Sequence, residues 1–220
     1  MRIDFHVHSN YSRDGLSSLE DIIAACQVNG LDKIALTDHN TIRGALALRA
    51  LAPELVIVGE EVRTTAGEFL ALFVEEEVPA GLEPEEALRR LRQQGAVVGV
   101  SHPLDRLRRE AMGLENTLRF IEQLDFVEIY NSRCLFAADN RRAAQLAQAH
   151  NLPGSAGSDA HNAGHIGRAY VEMEPFTDRA TFLESLRRGK IIGRPSGIPV
   201  HFLSTYAKLR RRIAGGGRGP

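Results

Sequence analysis

The placement of metal-binding residue types along the chain is the feature that most restricts its fold. Eight such residues fall in six short stretches, and five of the chain's eight histidines are among them. They are His6, His8, Asp14, His39, Glu61, His102, Asp159 and His161. Most of them lie at the ends of short apolar segments typical of β-strands. Ligands so far apart in sequence converge if those strands share one sheet or barrel, so the pattern predicts a metal centre with nitrogen and oxygen ligands.

The pair His6 and His8 supports this prediction. Alternate residues of a strand point to the same face, so the two imidazoles form a chelating pair. Any single stretch would more often be a surface or capping feature, because short motifs also match by chance. The joint occurrence of all the stretches favours the metal centre.

Composition limits the class of protein. The 220 residues suffice for one sizeable domain, and 43% hydrophobic with 25% charged residues is ordinary for a globular protein. A formal net charge of -1 argues against binding nucleic acid through bulk charge. Cys26 and Cys134 form no disulfide framework, which indicates a reducing compartment. We recognise no secretory signal and no membrane-spanning run, so we expect a cytoplasmic protein without membrane partners.

Short apolar segments alternate with amphipathic segments along the chain. Strands are predicted at 2–8, 33–37, 55–59, 68–75, 96–100 and 126–130, and helices at 18–29, 42–51, 85–94, 116–123 and 137–150. This alternation predicts parallel strands joined by right-handed helical crossovers. About seven strand–helix units indicate an α/β protein with a closed or nearly closed barrel. The ligands would then lie at the C-terminal ends of the strands, where such barrels place their active sites.

The sequence shows no internal linker. A single domain is predicted over residues 1–209, followed by a tail at 210–220 with four arginines and four glycines. That composition predicts a basic, glycine-rich and mobile end.

Taken together, these stretches resemble the polymerase and histidinol phosphatase (PHP) family of metal-dependent phosphoesterases. The matching stretches, which extend over residues 3 to about 170, are Asp4-Phe5-His6-Val7-His8-Ser9, Ser12-Arg13-Asp14-Gly15, Leu36-Thr37-Asp38-His39-Asn40-Thr41, Gly59-Glu60-Glu61-Val62, Ser101-His102-Pro103, Val127-Glu128-Ile129-Tyr130-Asn131 and Gly157-Ser158-Asp159-Ala160-His161. The resemblance implies a single-domain, distorted (β/α)7 barrel. It also implies two or three divalent ions of Mn, Zn or Fe, and hydrolysis of phosphate esters.

The resemblance further implies how the ligands are shared. One ion would be surrounded by His6, His8, Glu61 and Asp159, a second by Asp14, His39 and His161, and a third position by Glu61 and His102. Some members have one more histidine between the Glu61 and His102 positions, where this chain has none. A nearby carboxylate or water would have to compensate. Asp14 stands where several members have histidine, which favours Mn or Mg relative to Zn.

The resemblance and the strand-end positions together assign further roles. Two close metal ions activate a bridging water and neutralise phosphate charge, so no nucleophilic side chain is required. Glu61, Asp159 and His161 are the predicted catalytic residues within the centre. The predicted substrate or phosphate contacts are Arg133, Asn131, His165 and Arg13, each of which is otherwise an ordinary rim or loop residue. Asp38 is a candidate to orient a ligand, and His150 and His201 are read as non-catalytic.

The expected partner is a small phosphorylated substrate, and its identity stays open. The resemblance favours a nucleotide-type ester, such as a nucleoside 3',5'-bisphosphate or a short oligonucleotide, with histidinol phosphate as an alternative. A different class of function is a metal-binding accessory module without catalysis. A third possibility keeps the enzyme but cleaves an amide bond. The sequence does not address the oligomeric state.

Overall fold

A sheet that curls into a nearly closed barrel forms the centre of the protein. The structure is a computed structural model, and it describes residues 1–196. The predicted tail at 210–220, His201 and the end of the predicted domain lie outside the described residues. Within residues 1–196, no helix combines the length and the apolar character needed to cross a membrane.

Nine strands and six helices follow one another along the described residues. The strands are β1 Arg2–Val7, β2 Lys33–Leu36, β3 Val56–Thr64, β4 Gly67–Leu72, β5 Val97–Val100, β6 Phe126–Asn131, β7 Gly154–Gly157, β8 Ala169–Glu172 and β9 Lys190–Gly193. The helices are α1 Leu19–Asn29, α2 Arg43–Leu51, α3 Pro84–Gln93, α4 Gly113–Phe120, α5 Ala137–Ala149 and α6 Arg179–Arg188, with 3-10 turns at Ile121–Gln123 and Ala163–His165. The α/β class is confirmed, and β8, α6 and β9 add to the predicted elements.

Helix boundaries follow the local sequence. Ser18 caps α1: its hydroxyl accepts a hydrogen bond from the Asp21 amide at 3.1 Å, and the Asp21 carboxylate accepts one from the Ser18 amide at 3.2 Å. Gly30 ends α1 with a φ of 63°, a left-handed conformation that suits glycine because it has no Cβ. Pro84 begins α3 at a position that needs no backbone donor.

The strand order in the sheet is β7-β6-β5-β4-β3-β2-β1-β8-β9. Strands β1 to β3 are parallel, and so are β5 to β7. In contrast, β4 runs antiparallel to both β3 and β5, so the prediction of parallel strands throughout was wrong at this point. The reason is that β3 continues to Thr64 and β4 begins at Gly67. A connection this short makes a hairpin, whereas a parallel crossover needs about a dozen residues.

The residues after β7 nearly close the barrel against β1. Val7 forms a parallel bridge with Ala160. The His8 amide donates to the Ala160 carbonyl at 2.9 Å, and the Asp159 amide donates to the His6 carbonyl at 2.8 Å. These contacts confirm the predicted barrel. At the other end of β1, the antiparallel strands β8 and β9 extend the sheet, so the strand count differs from the seven expected.

Two apolar clusters pack on the two faces of the sheet. The outer cluster joins the sheet to α1 through α5 and includes Leu19, Ile22, Leu48, Leu88, Phe120 and Leu146. The inner cluster lies on the opposite face with side chains of α6, and includes Ile3, Phe5, Ala35, Ile57, Leu70, Leu72, Val97, Phe126, Phe182 and Leu186. The inner cluster therefore forms the floor beneath the polar mouth of the barrel.

An irregularity in β1 brings two histidines to that mouth. Phe5 packs in the inner cluster, whereas Val7 packs in the outer cluster. The register between β1 and β2 shifts between Asp4 and Val7. A bulge of this kind changes the facing of the residues that follow it. As a result, His6 and His8, which share a face by alternation, both turn toward the polar mouth and not toward the outer cluster.

Candidate metal centre

The structure brings all eight predicted ligands together at one end of the barrel. They lie at or just after the C-terminal ends of the parallel strands, apart from Glu61 within β3 and Asp14 in the loop after β1. Seven of them are buried, and the His39 side chain is 25% exposed. The centre is therefore closed on most sides and opens to solvent beside His39.

One group of ligands surrounds a single oxygen of Glu61. His6 Nε2 lies 3.2 Å and His8 Nε2 lies 3.4 Å from Glu61 Oε2. His8 Nε2 also lies 3.4 Å from Asp159 Oδ1, and His6 Nε2 lies 3.9 Å from it. This is the set that the resemblance implies for the first ion.

A second group lies on the solvent side of His8. His39 Nε2 is 3.7 Å from Asp14 Oδ1, and His161 Nε2 is 3.4 Å from Asp14 Oδ2. The His8 and His161 rings approach to 4.3 Å between centroids. His8, His39 and His161 each offer one nitrogen within 4.8 Å of the others, which agrees with the set implied for a second ion.

The third position involves a residue that the sequence analysis did not identify. His102 Nε2 lies 3.1 Å from Glu61 Oε1, as the resemblance implies. Glu68 reaches the same space: its Oε2 is 3.9 Å from His102 Nε2, and its Oε1 is 3.6 Å from His39 Nδ1. The missed signal is alternation, since Glu68 is two residues from the inward-facing Leu70 on the same strand.

Several ligand atoms in this centre have no hydrogen-bond partner among the described residues. They are His6 Nε2, His8 Nε2 and Glu61 Oε2, and all three are buried. The close approaches between them lack hydrogen-bond geometry, and an unpaired buried polar atom costs about 1–3 kcal/mol. Imidazole nitrogens and carboxylate oxygens are ligands of Zn, Mn and Fe. The residues present therefore fit the divalent ions that the resemblance implies.

The histidines of the centre differ in their electrostatics. Burial lowers the pKa of His8, His39 and His161 below its ordinary value, which favours neutral imidazoles with a lone pair for coordination. Burial also acts to lower the pKa of His6, but Glu61 and other carboxylates nearby raise it well above its ordinary value. The deepest part of the centre therefore favours positive charge.

The carboxylates of the centre are also shifted. Burial alone would raise the pKa of Asp159, yet Arg108 and Arg133 lower it well below its ordinary value. Burial raises the pKa of Glu68 well above its ordinary value, and the negative charge of Glu61 adds to this effect. Asp159 thus has positive partners in the protein itself.

Glu128 and Asn131 support the ligands from behind. Glu128 Oε1 lies 3.0 Å from His6 Nδ1, and its Oε2 accepts a hydrogen bond from the His102 amide at 2.6 Å. Asn131 Nδ2 donates to Glu128 Oε2 and to Asp159 Oδ2, both at 3.1 Å. These two residues therefore connect three ligands that come from three different strand ends.

A cavity of about 380 Å³ opens above the ligands. Its lining consists of Arg13, Asp14, His39, Asn40, Arg63, Glu68, Arg108, Glu110, Arg133 and His161. Arg108 Nη2 lies 2.5 Å from Asp159 Oδ2, and Arg133 Nη1 lies 3.4 Å from Asp159 Oδ1. Arg133 Nη1 also lies 2.7 Å from His161 Nδ1. Four guanidinium groups around one cavity suit an anionic ligand such as phosphate.

The other predicted residues have varied surroundings. Arg13 and Arg133 line the cavity, so their predicted phosphate contacts remain compatible with the geometry. Asn131 is fully buried and bonded to carboxylates, and His165 Nδ1 lies 2.9 Å from Asn162 Nδ2; their substrate contacts stay predictions. Asp38 accepts hydrogen bonds from the Ser9 amide and hydroxyl at 2.7 and 2.6 Å, and so holds the backbone that follows His8.

Arg108 is one of the cavity residues that the sequence analysis missed. It lies six residues beyond His102, in a loop without a helical or strand pattern. The weak signal available was a run of arginines soon after a strand end. Only the folded loop shows which of them turns inward: Arg106 pairs instead with Asp139.

Comparisons with known proteins agree with this geometry. A family model described as PHP-associated matches residues 137–191. An uncharacterized protein of Methanocaldococcus jannaschii is 35% identical over 176 residues, which cover 79% of this chain and 70% of that protein. The phosphoribosyl 1,2-cyclic phosphate 1,2-diphosphodiesterase of Eggerthella lenta is 36% identical over 86 residues, or 35% of this chain and 32% of that enzyme.

A solved structure shares the fold. It is a two-domain protein from Bacteroides vulgatus that contains a predicted PHP-like metal-dependent phosphoesterase. The two structures superpose with a TM-score of 0.72 at 24% sequence identity. The match covers 88% of this chain and 65% of the other. At this level of identity, the likeness concerns the fold.

Proposed function

Because the chain belongs to the PHP domain family, we propose that it is a metal-dependent phosphoesterase that cleaves a small phosphate ester with water. The observation that carries the proposal is the pair of unpaired, buried Nε2 atoms of His6 and His8 beside Glu61, beneath a cavity lined by arginines. Divalent cations bound there would activate water and neutralise charge on the phosphate. Such chemistry requires no nucleophilic side chain.

The predicted catalytic residues act by holding the cations. Glu61 directs Oε2 to His6 and His8 and Oε1 to His102, an arrangement that would suit a bridging ligand. Asp159 would serve the first position, and His161 would serve the second together with Asp14 and His39. Mn, Zn and Fe all suit this set, in two or three positions. The carboxylates make Mn(II) at least as suitable as Zn(II).

Two arginines would hold the substrate phosphate. Arg108 and Arg133 both contact Asp159 and both line the cavity, so they flank the entry to the first position. A guanidinium group can bind two phosphate oxygens at once. Burial removes competing water from these contacts and strengthens them. Arg13 would contribute from the rim.

The size of the cavity supports a small substrate. About 380 Å³ lies in the lower part of the range of about 300–1,000 Å³ that is common for ligand sites. We propose a nucleotide-type ester, such as a nucleoside 3',5'-bisphosphate or the end of a short oligonucleotide. Histidinol phosphate is the alternative. The relative from Eggerthella lenta adds a cyclic phosphate diester to the bonds worth testing.

A substrate screen tests this proposal against a non-catalytic role. The protein is stripped with a chelator, reloaded with Mn(II) or Zn(II), and assayed with phosphate monoesters, phosphate diesters and matched amides. We expect cation-dependent release of phosphate or alcohol from at least one phosphate ester, and none from His8→Ala. Cation binding without hydrolysis of any phosphate ester would favour an accessory module. Turnover of the amides alone would favour amidohydrolase chemistry.

A further inference from the structure

We propose that Glu68 is a cation ligand and completes a third position with Glu61 and His102. The inference deepens the proposed function and rests on it, because it concerns how the same centre holds its cations. It assigns a carboxylate to a position where the resemblance expects a histidine.

The direction of β4 explains how Glu68 reaches the centre. In a parallel strand, the second residue would lie at the floor of the barrel. Because β4 is antiparallel to its neighbours, its first residues lie at the mouth instead. In the hairpin, Glu61 pairs with Leu70 and Arg63 pairs with Glu68. Paired residues share a face of the sheet, as do alternate residues, so Glu68 and Glu61 face the same side.

The distances around Glu68 suit a shared cation better than hydrogen bonds. Its carboxylate oxygens lie 3.6 Å from His39 Nδ1 and 3.9 Å from His102 Nε2, beyond the usual limits of hydrogen bonding. Glu61 lies 3.0 and 3.1 Å from the same two nitrogens. Two ligand atoms that are each about 2.2 Å from one ion lie at most about 4.4 Å apart. The two separations at His102 fall within that limit, and so do the two at His39, which involve the other oxygen of each carboxylate.

Two further observations indicate a missing positive charge at this place. On the side of His39, Glu61 Oε2 is buried and has no hydrogen-bond partner among the described residues. Oxygens of Glu61 and Glu68 lie within 4.8 Å of each other and of a His39 nitrogen. The Glu68 side chain is only 4% exposed, so water only weakly screens the repulsion between the Glu61 and Glu68 carboxylates. A cation between the two carboxylates would satisfy both.

The competing explanation is that Glu68 only orients His39. A carboxylate near Nδ1 of an imidazole commonly fixes the ring while Nε2 binds the metal. Glutamine separates the two roles, because its oxygen can still accept a hydrogen bond from His39 while its negative charge is lost. Alanine removes both capacities.

The experiment compares Mn(II) binding by wild type, Glu68→Gln, Glu68→Ala and the matched control Glu110→Gln. Glu110 lines the same cavity and carries the same charge, but it belongs to none of the groups of possible metal ligands among the described residues. Stripped proteins are titrated with Mn(II), and the bound metal is counted by elemental analysis after gel filtration. Melting in chelator verifies that each variant is folded.

We expect wild type and Glu110→Gln to bind one equivalent more than both Glu68 variants, or to bind the last equivalent at least about tenfold more tightly. Loss of an equivalent in Glu68→Ala but not in Glu68→Gln would overturn the inference in favour of an orienting role. Unchanged binding in both variants would also overturn it, while leaving the proposed function intact. A wild-type protein that binds no Mn(II) or Zn(II) would overturn the proposed function itself.

Discussion

Replacing Glu128 with glutamine should weaken cation binding, although it removes none of the predicted ligands. In the structure, Glu128 Oε1 lies 3.0 Å from His6 Nδ1, and Oε2 accepts hydrogen bonds from the His102 amide at 2.6 Å and from Asn131 Nδ2 at 3.1 Å. As an acceptor on both sides, the carboxylate would keep a proton on His6 Nδ1 once a bound cation takes the place of the proton on Nε2. The Nε2 lone pair is then directed at Glu61 and the centre.

Glutamine cannot reproduce this arrangement, because it has one oxygen acceptor and one nitrogen donor. If its nitrogen faces His6, Nδ1 must accept a hydrogen bond, and the proton of the neutral ring moves to Nε2. If its nitrogen faces the other side, it meets the N–H groups of His102 and Asn131. Either orientation disturbs a ligand or leaves buried donors unpaired, at a cost of about 1–3 kcal/mol.

The expected loss of affinity follows from the role of Glu128 as a partner of a ligand. Substitution of such partners typically weakens metal binding by about 10–100-fold, or about 1.4–2.8 kcal/mol. Calorimetric titration of the stripped protein with Mn(II) or Zn(II) measures this directly. Glu122→Gln is the matched control, since Glu122 is exposed and loses the same charge.

One result would refute the argument about His6. If Glu128→Gln bound cations as tightly as wild type and Glu122→Gln, the carboxylate would not set the state of the imidazole. A melting curve in chelator must accompany the titration. A variant unfolded at the temperature of the titration would indicate a folding defect, and Glu128→Ala at lower temperature would then repeat the comparison.

Four further predictions concern the centre and its surroundings. His8→Ala or Asp159→Ala should abolish hydrolysis with an unchanged circular dichroism spectrum; near-wild-type turnover with metal retained would contradict the assigned ligands. Mn(II) should support turnover at least as well as Zn(II) in separately reconstituted protein, and clear superiority of Zn(II) would count against the hard character of the site. Arg133→Ala should lower kcat/KM by about ten- to a hundredfold, because it loses a charge-assisted contact worth about 1.5–3 kcal/mol. Metal content should stay unchanged, and Arg133→Lys should recover only part of the loss. An unchanged kcat/KM would show that Arg133 is only a rim residue. Burial raises the pKa of Glu60 to about 8, so the native state retains a proton that the unfolded chain releases above about pH 4.5, and the free energy of unfolding falls as the pH rises between these two values. The stabilisation by Glu60→Gln relative to wild type should therefore grow from about pH 5 to 8, by at most about 1.4 kcal/mol per pH unit. A stabilisation that does not change with pH in denaturant melts would disprove the raised pKa of Glu60.

Most residues of the centre could be predicted from the sequence, because they follow apolar strands. His39 and His102 each come within three residues of a strand end, and the spacing of His6 and His8 indicates a shared face. The ends of parallel strands meet at one edge of a sheet or barrel. The convergence of the eight ligands therefore followed from local signals. Their role in binding metal stays a prediction until cations are measured.

Supporting residues were harder to recognise from sequence. Glu128 lies in the middle of β6, and nothing in its neighbours indicates that it faces His6 rather than solvent. Arg108 lies in an irregular loop whose path depends on contacts with distant residues such as Asp159. Hydrogen bonds and ion pairs between positions far apart in the chain leave no periodic pattern, so they become visible only in the folded molecule.

By itself, the sequence determined the α/β alternation, the helix ends at Gly30 and Pro84, and the residue types that gather at the barrel mouth. These depend on short-range chemistry: apolar periodicity, capping and backbone freedom. The direction of β4 was decided only by the tertiary structure, because it depends on where β3 ends and on hydrogen bonds to both neighbouring strands. That direction moves Glu68 from the floor of the barrel to its mouth, beside Glu61, where a parallel strand would have placed an apolar residue.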